Sequence, residues 1–150
     1  MKTSISHFVL IFVVLMIWSC TSSDSDTNPD TSLRALGIEG GVIVMEPGKD
    51  YKRKGYILRV DSIMNDSRCP DRLACIWAGN VEVRFHLRTI APLKGAEYTF
   101  TLNANSSLQR DTVIQGLRFI LIDVSPYPKK DTTIPYEDYR VTVSVGGSGI

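Results

Sequence analysis

The chain has 150 residues, 43% of them hydrophobic and 22% charged, with a formal net charge of +1, which fits one globular domain rather than two. A balance this close to neutral excludes the basic excess that a nucleic-acid binder normally carries. One histidine, His86, lies beyond residue 19, and a zinc centre would need more histidine or free cysteine than that leaves, so no metal or cofactor is expected.

The first 19 residues have the make-up of an export signal. Lys2 is followed by an unbroken apolar run of eleven residues, Phe8 to Trp18. That is short of the roughly 17–25 residues of a transmembrane helix and has the length of a signal-peptide core. Ile17-Trp18-Ser19-Cys20 resembles the lipobox of bacterial lipoproteins, which implies that Cys20 is lipid-modified and becomes the mature N-terminus. The competing reading is an ordinary signal peptide cut nearby, leaving Cys20 a free thiol. Several acyl chains on one residue would give firm anchoring, since a single chain holds only marginally. Loss of residues 1–19 removes Lys2 and brings the formal net charge to zero. Residues 20–32 form the lipidated cysteine and a tether. Thr21 to Ser32 contains no apolar residue and buries nothing to offset its ordering entropy. A tether of this length spans roughly 20 Å on average.

Residues 33–150 are expected to form a single β domain. Val42 to Met45 predicts a short strand, and Tyr56, Leu58 and Val60 set a second. Val81, Val83, Phe85 and Leu87 alternate with Glu82, Arg84, His86 and Arg88, the pattern of a strand with one wet face. Tyr98, Phe100 and Leu102 alternate with threonines. Leu117 to Val124 is more continuously apolar, as expected of a strand covered on both sides. Tyr139, Val141, Val143 and Val145 close the series. Glu46-Pro47-Gly48-Lys49-Asp50, Asn103-Ala104-Asn105 and Ser125-Pro126-Tyr127-Pro128 are turn signals, and Gln115-Gly116 predicts a tight hairpin. Six to eight short strands and no helical stripe predict an all-β fold, an antiparallel β-sandwich or an open barrel. The spaced Cys…Trp…Cys pattern of immunoglobulin domains is absent.

Asp66-Ser67-Arg68-Cys69-Pro70-Asp71-Arg72-Leu73-Ala74-Cys75-Ile76-Trp77-Ala78-Gly79-Asn80 is the most distinctive stretch. Cys69 and Cys75 are the two cysteines of the domain itself, and in an exported protein they are expected to pair. Asp66 and Ser67 can accept backbone N–H groups that the turn leaves open, and Pro70 stiffens its entry. Asp-Ser-Arg-Cys-Pro followed by Cys-Ile-Trp-Ala-Gly resembles the signature of a family of small uncharacterised bacterial lipoproteins of Bacteroidota type. The resemblance covers roughly residues 40–145, and it implies no particular activity.

Three readings apply to this segment. In the first it is a stapled turn, with Trp77 packed on the disulfide, Arg68 paired with Asp66 or Asp71, and Gly79 allowing a bend. In the second it is a rigid recognition loop presenting Arg68, Asp71 and Arg72 to a partner, with Leu73 as an apolar anchor; preorganisation lowers the entropy lost on binding. In the third it is a redox pair, although reactive dithiols usually have two residues between the cysteines.

Other chemistry is sparse. His86 falls on the wet face with Arg84 and Arg88, and no Gly-x-Ser-x-Gly nucleophile motif is present. Asp61, Asp66 and Asp71 lack the spacing of a calcium loop. Lys52-Arg53-Lys54 reads as a solvated edge. The function expected is therefore a lipid-anchored envelope module that binds a protein, peptide or glycan, with the outer membrane as its location. The alternatives are an envelope hydrolase with a carboxylate-based site, or a protease inhibitor offering Arg68 or Arg72.

Overall fold

The computed structural model describes Ile38 and residues 40–147. Cys20, the lipobox and the tether lie outside the described residues. Eight strands occur among those described: β1 (Gly41–Met45), β2 (Asp50–Arg53), β3 (Tyr56–Met64), β4 (Glu82–Thr89), β5 (Ala96–Asn103), β6 (Asp111–Ile114), β7 (Leu117–Ser125) and β8 (Arg140–Gly147). They form two four-stranded antiparallel sheets, ordered β1-β8-β7-β6 and β2-β3-β4-β5. The sheets do not close on one another, so the architecture is a sandwich rather than a barrel.

Period-two alternation is what builds it. Val83, Phe85 and Leu87 of β4 are buried while Arg84 and Arg88 face solvent. Val141, Val143 and Val145 do the same on β8. The core is joined across the sheets by aromatic rings. Phe100 stacks on Phe85 with centroids 5.3 Å apart and meets Phe119 of the opposite sheet, also at 5.3 Å. Tyr56 meets Phe119 edge-on at 6.2 Å. Such pairs add roughly 0.5–1.5 kcal/mol each beyond the area they bury.

The Gln115-Gly116 hairpin forms between β6 and β7, with φ of 49° and 79° at its two central residues. Both are positive, as a primed turn requires. Strand β7 departs from expectation. Its apolar run is not covered on both sides: the register shifts between Leu121 and Asp123, and Ile122 lies exposed. The extra residue lets Val124 return to the core after two outward positions. Strand β2, Asp-Tyr-Lys-Arg, was hidden by its polarity, and it includes Lys52 and Arg53 of the basic run. It is an edge strand, where charged side chains discourage pairing with another sheet.

Topology sets two ends. The β3–β4 and β7–β8 connections share one of them. The chain enters β1 at the other, where Gly41 lies opposite Val145 near the finish of β8.

Candidate functional site

Residues 65–81, between β3 and β4, carry the cysteine segment. Its two arms pair outside the sheet. The Ser67 amide donates to the Asn80 carbonyl at 2.7 Å, and the Cys69 amide donates to the Ala78 carbonyl at 3.0 Å. The Asn80 amide donates to Ser67 Oγ at 3.2 Å. Cys69 and Cys75 are bridged, with their Cα atoms 6.0 Å apart. Inside the bridge the chain reverses, with the Leu73 amide donating to the Pro70 carbonyl at 3.1 Å and Arg72 at a φ of 64°. The Asp71 amide donates to the Pro128 carbonyl at 2.9 Å, which ties the loop to the β7–β8 connection. Asparagines brace the other flank: Asn80 Nδ2 donates to Asn103 Oδ1 at 2.8 Å, and Asn105 Nδ2 donates to the Gly79 carbonyl at 2.9 Å.

Arg68 is the centre of the support. It is 5% exposed. Its Nε and Nη2 donate to the two Asp66 carboxylate oxygens at 2.8 and 2.7 Å, the bidentate geometry that makes such pairs strong. Nη2 also donates to the Pro126 carbonyl at 2.9 Å, and Nη1 donates to the Val124 carbonyl. The guanidinium lies 4.7 Å from the Tyr127 ring centroid. Tyr139 Oη donates to Asp66 Oδ2 at 2.9 Å. Burial alone would raise the Asp66 carboxyl, but the hydrogen bonds from Arg68 and Tyr139, with the adjacent positive charge, hold it below the ordinary value. Burial, and then the Asp66 carboxylate beside it, push Tyr139 up to about 12.

This arrangement separates the expected site residues into two groups. Asp66, Arg68 and Gly79 act structurally, and Pro70 is half-buried at the loop entry. Arg68 cannot be offered to a partner or to a protease pocket, because each of its nitrogens already donates within the protein. Arg72 is free to solvent, with its Nε 3.7 Å from Asp71, yet its left-handed backbone is not the extended form that a peptide-binding cleft accepts. Leu73 is 46% exposed and does not tuck under the loop. Trp77, which the stapled-turn reading packs on the disulfide, is 80% exposed, and Ile76 beside it is wholly exposed. Residues 71–78 all stand in solvent. Sequence reasoning placed the anchor at Leu73 alone and missed Ile76 and Trp77, because nothing in the alternation distinguishes an exposed Trp from a buried one.

The remaining chemistry is dispersed. A shallow groove of about 210 Å³ on the outer face of β2–β5 holds His86, Asp50 and Glu97. Each carboxylate there faces a nitrogen side chain, Asp50 with Arg59 and Glu97 with His86, both at 3.7 Å. Asp66 is committed to Arg68, and no group of three metal-ligating side chains occurs among the described residues. No family model, curated protein or solved structure matches the chain.

The bridge is expected to stabilise rather than to react. Five residues separate the cysteines, and a loop this short gives roughly 2 kcal/mol by loop-closure entropy. Cys69→Ser/Cys75→Ser should lose about that much in urea melts and should leave the β-sheet circular dichroism intact.

Proposed function

We propose that this is a lipid-anchored cell-envelope protein, held at the outer membrane through Cys20, whose domain binds a protein partner without enzymatic chemistry. The observation that carries this reading is the exposure of Leu73, Ile76 and Trp77 on one braced loop. Apolar side chains held in water by a disulfide and a buried ion pair contribute little to folding. Large aromatic and aliphatic groups on a rigid, polar-rimmed surface are the usual anchors of an interface. Loops set on a rigid scaffold are where binding residues concentrate. The lipobox sequence and the apolar run of residues 8–18 support the anchoring half.

Two experiments check the two halves. Cys20→Ala should release the domain from detergent-phase partitioning or leave an uncut precursor; a correctly cut variant that still partitions with detergent refutes anchoring. For binding, the mature protein with wild-type, Leu73→Ala or Trp77→Ala loops is used to capture partners from envelope extract. Both variants should lose the partner that wild type holds. Both should also melt within about 1 kcal/mol of wild type, unlike the 2–5 kcal/mol cost of a buried Leu. Equal recovery of every partner by all three proteins removes the loop as the contact surface.

A further inference from the structure

The surroundings of the loop specify the chemistry of its partner, and this inference rests on the contact surface proposed above. A cleft of about 260 Å³ opens beside the loop, between Ala78–Asn80 and residues 104–106, with Tyr127 and Arg110 in its lining. That is below the roughly 300–1,000 Å³ of pockets that enclose a free small molecule. It has the size to take one side chain of something larger.

Its charge is unbalanced. Arg68 also lines the cleft, but Asp66 neutralises it. Arg110 has no such counterpart among the described residues. Its Nη2 donates to the Leu121 and Ile122 carbonyls at 2.9 and 3.0 Å, which hold the guanidinium in place without cancelling its charge. Its Nε is buried with no hydrogen-bond partner among the described residues. Lys129 and Lys130 directly follow Pro128, the residue whose carbonyl fastens Asp71, so two more exposed cations stand beside the loop. Against them are Asp131, which is exposed, and Asp71, which faces Arg72. The apolar apex of Leu73, Ile76 and Trp77 therefore adjoins a basic surface.

We propose that the partner is a protein segment that sets an Asp or Glu side chain against Arg110 in the cleft and an apolar side chain on Ile76 and Trp77. Charge complementarity of this kind steers the encounter and fixes register, while the apolar contact supplies the anchor. A lipid surface fits poorly because the anchored chain enters the domain at Gly41, the end opposite the loop.

The test pans the mature protein, in detergent micelles, against a phage-displayed library of random dodecapeptides. Recovered peptides should be enriched in both acidic and large apolar residues and should bind more weakly as salt is raised. Their affinity should fall about tenfold or more on Lys129→Glu/Lys130→Glu and on Arg110→Gln. Lys94→Glu, in the β4–β5 turn at the opposite end, should change nothing. Because Arg110 also holds two carbonyls, the exposed lysine pair keeps the test valid if Arg110→Gln fails to fold. Peptides with no acidic bias, or with affinity indifferent to the charge reversals, overturn the proposal. So does an envelope partner that is lost with Trp77→Ala yet kept in full by the lysine double variant, a result that leaves the contact loop itself standing. Recovery of the envelope partner by Trp77→Ala at the wild-type level is the separate result that removes the loop.

Discussion

Arg68→Met is expected to cost about 3–5 kcal/mol, the usual loss when one partner of a buried ion pair is removed. Methionine fills much of the volume but leaves Asp66 with a charge in a site where only Tyr139 and the backbone amide of residue 68 still donate to its side chain. The Val124 and Pro126 carbonyls also lose their donor. The pH dependence has a definite sign. In the wild type the Asp66 carboxyl lies below its ordinary value, so its contribution is present above the unfolded-state pKa and is lost as pH falls through the depressed folded one. In the variant, burial remains while the Arg68 side-chain hydrogen bonds and charge do not, so the carboxyl rises from its wild-type position. The stability gap between the two proteins should therefore be widest near neutrality and narrow in acid. At the alkaline end, the hydroxyl of Tyr139 contributes stability below its unfolded value, near 10, that is lost as pH rises toward about 12. Urea melts across this range check both limbs. A loss under about 1 kcal/mol at neutral pH would contradict the structural role given to Arg68.

Gly79→Ala should cost about 3 kcal/mol. A Cβ at this position would lie 1.9 Å from the Ser67 carbonyl oxygen and 2.8 Å from Arg68 Cα, both backbone atoms with no rotamer to move. The residue also sits at a φ of 70°, which adds roughly 1–2 kcal/mol for any L side chain. Overpacking supplies the rest. Relief requires the 67–69 arm to move away from the 78–80 arm, and that breaks the Ser67–Asn80 and Cys69–Ala78 hydrogen bonds. The variant should therefore lose partner capture along with stability, whereas Trp77→Ala should lose capture alone. Wild-type melting with an intact Cys69–Cys75 bridge would show that the arms are not held as close as described.

Six of the eight strands were legible from their apolar patterns, most of them because one-sided burial writes alternation into the sequence, and β6 showed only as one flank of the Gln115-Gly116 hairpin. Val83, Phe85 and Leu87 could not be mistaken. Strand β2 was not legible, because an exposed edge strand has no reason to alternate: of Asp50, Tyr51, Lys52 and Arg53, only Tyr51 is partly buried. The buried ion pair was half legible. Spacing allowed Arg68 to meet Asp66, but its depth comes from the Val124 and Pro126 carbonyls, 56 and 58 residues away, and no local pattern reports them. The contact residues were the least legible. Leu73 stood out for having no strand to join. Trp77 read as packed on the disulfide and Ile76 was not singled out, and only the outward course of residues 71–78 shows both exposed.

The two ends of the sandwich have a mechanical consequence. The chain enters at Gly41, opposite Val145, and the braced loop stands beyond Arg140 at the far end of β8, a separation of at least roughly 17 Å along six extended residues. If Cys20 is anchored as proposed, Trp77 sits at the end of the domain away from the point where the chain enters. Pulling on Trp77 while Cys20 is fixed loads β1 and β8 lengthwise. Their five paired residues then carry the force in shear, with the hydrogen bonds strained together rather than opened one by one. A grip at the loop and an anchor at Cys20, both as proposed, would put the β1–β8 seam in the path that bears tension between them.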